Sequence, residues 1–95
     1  MFGCYILYSA SIDKFYIGSC QNGLRSRLEK HNNGFYGKHF TSQASDWALF
    51  HHIDCENLSQ AVRMERHIKK MKSRKYLHDL KIHPAITEKL KLKYP

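Results

Sequence analysis

The chain has 95 residues, enough for one domain with one modest core. Hydrophobic residues make up 42% of it, which argues against disorder. Sixteen Lys and Arg against eight Asp and Glu leave a net charge of +8, a balance that favours a polyanion as partner through phosphate neutralisation.

The N-terminal stretch MFGCYILYSA is apolar but lacks the basic region of a signal peptide. It is too short to span a membrane and reads as a strand. CYILYS (4–9) and KFYIGSC (14–20) are β-prone runs around the polar ASID, which predicts an antiparallel hairpin. In the simplest register Tyr5 lies directly across from Tyr16 on one face.

GLRSRLEKHNNG predicts a helix with Asn22 as its cap and Gly34 as its stop. Leu24, Arg27, Leu28 and His31 share one face of it. Residues 34–46 read as a loop that interleaves aromatic and basic residues. WALFHHI (47–53) reads as a third strand. NLSQAVRMERHIKKM predicts a helix capped by Asn57 or Ser59, with an apolar stripe of Leu58, Ala61, Val62 and Ile68. Glu65 interrupts that stripe. SRKYLHDLKI predicts a further helix capped by Ser73, and Pro84 opens a short helix with a frayed basic tail.

The expected fold class is α+β: a small three-stranded mixed or antiparallel sheet flanked by helices, in the order β-β-α-β-α-α. Residues 1–82 are expected to form the domain and 83–95 a basic C-terminal extension. Cys4, Cys20 and Cys55 form no C-x-x-C pair, so three reduced thiols in a cytoplasmic protein are expected.

Four placements are unusual: Tyr5 with Tyr16, Arg27 with His31, Glu65 inside an apolar stripe, and the basic run from Arg63 to Lys75. Each has a plainer reading. Strand tyrosines usually pack, with a wet hydroxyl. Arg27 and His31 can snorkel at the core edge. Glu65 can pair with Lys69 one turn on. The basic run can be a solvated face. Together, however, they supply the groups that phosphodiester hydrolysis needs. A carboxylate can hold a divalent metal. The metal and an arginine can offset transition-state charge, and a tyrosine or histidine can move a proton from water.

The residues GCY (3–5), YIG (16–18), RLEKHN (27–32) and AVRMERHIKKM (61–71) occur in this order. In them the chain resembles the GIY-YIG nuclease family, and in GKHFT (37–41) and Trp47 its small stand-alone members, often likened to the nuclease domain of the excinuclease C subunit. The resemblance runs from about residue 3 to 80. It implies a GIY-YIG endonuclease-like fold and metal-dependent hydrolysis of DNA, with one Mg²⁺ or Mn²⁺ held by Glu65. It further implies that Tyr5 activates the attacking water. A tyrosine titrates near ~10, so this role needs a nearby cation. Tyr16 would position the water or the phosphate, Arg27 would stabilise the transition state, and His31 would assist proton transfer or hold Tyr5. Gly3 and Gly18 would be structural, Gly18 allowing a close approach.

Ser19 stands where excinuclease-type members carry a Lys, and KYLHDL lacks the Asn of other members. Lys14 or, better, Lys38 is expected to supply the missing charge. Lys38, Arg63, Arg66, Lys69, Lys70, Lys72, Arg74 and Lys75 are the expected DNA-backbone contacts. With no second DNA-binding domain in view, the expected activity has low sequence specificity, follows DNA structure, or relies on a partner protein. The alternative is a nucleic-acid-binding module on the same fold that cleaves weakly or not at all.

Overall fold

A computed structural model describes residues 2–34 and 40–95. Strands β1 (Phe2–Ser9), β2 (Lys14–Cys20) and β3 (Ala48–Cys55) form one antiparallel sheet in the order β2-β1-β3. Helix α1 (Leu24–Asn32) and a 3-10 turn, Phe40–Gln43, lie between β2 and β3. Helices α2 (Leu58–Met71), α3 (Arg74–Ile82) and α4 (Pro84–Lys93) follow. The class is α+β, as expected, with a fourth helix where a short helix and frayed tail were expected.

Central β1 has both faces covered, which is why FGCYILYS reads as a nearly continuous apolar run. Its alternation splits the interior in two. Cys4 and Ile6 join Ile53, Ala61, Met64, Ile68, Leu77 and Leu80 in a core under α2 and α3. Tyr5 and Leu7 join Cys20 and Trp47 on the other face, with Tyr16, Leu24 and Leu28 packed around them. The stripe of α2 differs from expectation in three positions: Leu58 is exposed, Val62 is half-buried outside the core, and Met64 fills the core instead. Leu58 is the first residue of the helix, beside the cap, where the chain has not yet turned onto the sheet.

The hairpin register is two residues away from the simplest one. Tyr5 pairs with Gly18, and Tyr16 pairs with Leu7. The turn is the cause. Ser9 pairs with Lys14, so Ala10–Asp13 form a four-residue turn in which Asp13 takes a left-handed φ of 51°. Asp46, just before β3, clamps that turn. Its carboxylate accepts from Ser9 Oγ at 2.5 Å, Ser11 N at 2.9 Å and Ser11 Oγ at 2.9 Å. Because the strand period is two, this shift keeps both tyrosines on one face.

The helix starts follow local chemistry. Asn57 Oδ1 accepts from Gln60 N at 2.8 Å and starts α2, and Ser73 Oγ accepts from Tyr76 N at 3.1 Å and starts α3. Asn22 does not cap α1. Gly23, at φ 71°, occupies the cap with no side-chain bond, a backbone angle that glycine takes without strain. Gly34 follows α1 at φ 74°, as its stop. α4 runs on to Lys93 because Leu90 is buried in the α2–α3 core. Among the described residues no helix is long and apolar enough to cross a membrane.

Candidate active site

Tyr5 lies in the middle of β1, 1% exposed, with Gly18 opposite it. A Cβ on Gly18 would stand 2.6 Å from both Cζ and Oη of Tyr5. The close approach expected at Gly18 is therefore made by the tyrosine itself. Gly3, near the start of β1, makes room for the His52 imidazole.

His31 is the one residue of α1 that is fully buried. Its Nε2 hydrogen-bonds the Tyr5 hydroxyl at 3.0 Å, and its Nδ1 meets Thr41 Oγ1 at 2.8 Å. Thr41 is 1% exposed and is itself held, its carbonyl accepting from Trp47 Nε1 at 2.8 Å. Asn32 ties the end of α1 to the start of β3, accepting from Trp47 N at 2.6 Å and donating to Trp47 O at 2.9 Å. The imidazole thus has one nitrogen on a phenol and the other on a hydroxyl. In the neutral ring one of these accepts while the other donates, so Thr41 can select the tautomer.

Tyr16 is half-buried on the edge strand. Its ring centroid is 4.9 Å from His31, 6.4 Å from Tyr5 and 6.2 Å from Phe40, which stacks on it. Glu65 reaches this edge from α2, its side chain 17% exposed and its Oε2 2.7 Å from Lys69 Nζ. The same ammonium stands 5.8 Å from the Tyr16 ring centroid. Lys69 therefore stands between the carboxylate and the tyrosine. Sequence reading placed Lys69 with the backbone contacts; its i+4 spacing from Glu65 was the signal for this position. On the core side, burial and then the charge of Glu65 push the Cys4 thiol far above its ordinary range. Cys4 is inert.

Arg27 lies one turn before His31 on α1. It lines an open groove with Asn22, Gly23 and Lys30, and its charge reaches the Cys20 thiol. Tyr5, Tyr16 and His31 are thus in mutual contact, Glu65 joins them through Lys69, and Arg27 flanks them on the same helix as His31. Among the described residues no group of three or more His, Cys, Asp or Glu is arranged to hold a metal. The donor available is one carboxylate with a second oxygen. That suits a hard divalent cation which keeps waters and takes phosphate oxygens.

The basic run does not form one face. Arg63, Arg66 and Lys70 line a groove against Lys93 and Tyr94 of the α4 end. Arg74 pairs with Asp13 at 2.8 Å, Lys75 pairs with Asp79 at 2.9 Å, and Lys72 ends α2 at a left-handed φ of 48°. Lys14 lies at the turn end of the hairpin, opposite Ser9. Lys38 lies outside the described residues. Thr41, Asn32 and Trp47 were missed as a working set, although all three lie in or beside the motifs quoted above.

The family model described as the GIY-YIG catalytic domain matches residues 1–77. No curated protein and no solved structure matches the chain. The matched segment spans β1 to the first half of α3 and carries Tyr5, Tyr16, Arg27, His31 and Glu65. The chain therefore belongs to the GIY-YIG family, whose members are endonucleases that generally use divalent metal ions.

Proposed function

We propose that this protein is a metal-dependent endonuclease that hydrolyses DNA phosphodiester bonds with low sequence specificity or under the direction of DNA structure. The observation that carries this reading is the 3.0 Å bond between Tyr5 and His31 Nε2, beside Tyr16 and within reach of a paired glutamate.

Tyr5 takes a proton from the attacking water as its own hydroxyl proton passes to His31 Nε2. His31 holds that proton while its Nδ1–H is directed at Thr41 Oγ1. Tyr16 orients the water or the scissile phosphate. Arg27 offsets charge on the phosphate as it builds. Glu65 would hold the Mg²⁺ or Mn²⁺, which supplies positive charge to the phosphate oxygens when bound. Lys69 keeps the Glu65 carboxylate in place and makes the Tyr16 edge electropositive. Residues 1–82 form the nuclease unit and 83–95 a basic extension. The protein acts in the cytoplasm, where its three free thiols stay reduced, and a partner protein or a DNA structure supplies specificity.

A second reading, a nucleic-acid-binding module that cleaves weakly, is favoured by the 1% exposure of Tyr5 and by the engagement of Glu65 with Lys69. A nicking assay on plasmid and branched DNA, with Mg²⁺ or Mn²⁺, separates the two. The wild type is expected to nick and Glu65→Ala to lose most of that activity. Equal inertness of both proteins selects the binding module. Equal cutting by both removes Glu65 from the metal site.

A further inference from the structure

The outer side of α2 carries a feature that the reacting centre does not use. Arg66 and Lys70 lie one turn apart, about 6 Å along the helix axis. Across from them, Lys93 projects from the end of α4 into the same groove, whose volume is about 590 Å³. No Asp or Glu lines this groove, and among the described residues Arg66, Lys70 and Lys93 form no ion pair with an Asp or Glu. Four cations around one concave surface repel one another, and their relief comes from backbone oxygens and the Tyr94 ring, not from an Asp or Glu side chain.

The groove is nevertheless built and held. Tyr94 Oη hydrogen-bonds His67 Nδ1 at 3.0 Å, with ring centroids 5.6 Å apart. Arg63 donates to the Pro95 carbonyl and to Ser59 O, and its guanidinium lies 6.0 Å from the Tyr94 ring centroid. Leu90 is buried beneath. These contacts fix the end of α4 and so present Lys93 to the groove. α4 lies beyond the segment that matches the family, so Lys93 and Tyr94 bring a part of this surface from outside that segment.

We infer that the groove between α2 and the end of α4 is a second phosphate-binding site, which holds nucleic-acid backbone at a distance from the reacting centre. The inference rests on the reading of the substrate as nucleic acid. Arg66, Lys70 and Lys93 contact phosphate oxygens; Arg63, His67 and Tyr94 position the α4 end. Three observations favour a polyphosphate backbone. The lining is cationic without acidic relief. Its charges are spaced along a helix as a polymer of repeating anions requires. And α2 is continuous with the reacting centre, since Lys69 on that helix faces Tyr16 while Lys70 faces the groove. A strand bound at the Tyr16 edge meets the groove by crossing one helix.

The test is binding of fluorescently labelled single-stranded and duplex oligonucleotides in EDTA, where no strand is cut, across a range of salt. The groove variant Arg66→Gln/Lys70→Gln/Lys93→Gln is compared with the charge-matched control Lys81→Gln/Lys89→Gln/Lys91→Gln. The groove variant is expected to bind about 10-fold or more weakly than the control. Its log–log salt slope is expected to be shallower by about 2 for a single strand and about 3 for a duplex, the loss of three phosphate contacts. Equal affinity and slope for the two variants overturns the site, as does displacement of the oligonucleotide by polyglutamate with equal effectiveness. Cleavage with Mg²⁺ is scored separately. A wild type that never cuts, with binding lost only in the groove variant, defeats the nuclease reading and leaves the groove standing. A cutting wild type with no difference between the variants does the reverse.

Discussion

The two faces of the sheet are built from the same strand and do opposite work. On one side of β1, Cys4 and Ile6 point into an apolar core closed by Ala61, Met64 and Ile68. On the other, Tyr5 and Leu7 meet Trp47 and a set of buried polar groups, His31 and Thr41 among them. The first face is held by area removed from water, which is non-directional and tolerant of small shifts. The second is held by oriented hydrogen bonds, whose buried members are costly to orphan. Alternation along a single strand thus places apolar core groups and hydrogen-bonded polar groups one residue apart.

The contrast is broken most directly by crossing the two faces. Tyr5→Phe is expected to lower DNA cleavage by roughly 10²–10⁴-fold while costing about 1–3 kcal/mol of stability, through the partner lost by His31. Met64→Ala is expected to cost about 2–5 kcal/mol with an unchanged rate per folded molecule. Denaturant melts and nicking rates on both variants check this. If Met64→Ala slows the folded enzyme as much as Tyr5→Phe does, the faces are not separable.

Gly18→Ala sharpens the same division. The added methyl falls 2.6 Å from the Tyr5 ring, which has no open space to move into. A loss of about 1–3 kcal/mol is expected, together with disruption of the Tyr5–His31 bond, visible as a shift of the His31 ring resonances. Wild-type resonances with wild-type stability would show that Tyr5 yields freely.

The smallest effect is expected at the turn that sets the register. Hydrogen bonds from Ser9 and Ser11 hold the Asp46 carboxyl below its ordinary range. A depressed folded-state pKa stabilises above the unfolded value near ~4, and that stability is lost as pH falls through the folded pKa. Asp46→Asn removes the titrating group, so its melting temperature should decline less steeply than the wild type's on the acid side of pH ~4. Parallel acid limbs for the two proteins would exclude Asp46 as a source of that decline.

Much of the fold was legible because its signals are local. Ser73 caps the helix it was expected to cap, and Asn57, one of the two caps expected for α2, caps that helix. The Tyr- and Ile-rich runs became strands, and the four motif blocks identified the family over most of the chain. Where the local signal was weak, the reading slipped. Asn22 and Gly23 are both capable caps, and the left-handed backbone at Gly23 decided between them. Leu58 has the right spacing for the core stripe but stands before the helix has turned onto the sheet.

By itself the sequence determined most of the elements, which residues alternate to which face, and which side chains lie in the family's motifs. Periodicity and capping depend on neighbours within a few positions, so these were readable in order along the chain. Only the tertiary structure decided that Tyr5 pairs with Gly18, that Thr41 meets the far nitrogen of His31, and that Lys69 stands between Glu65 and Tyr16. It alone decided that α4 returns to line a groove with α2. Each of these depends on a turn held by a distant aspartate or on the angle at which a helix crosses the sheet. Such geometry follows from the sum of contacts across the molecule, and no short window of residues contains it.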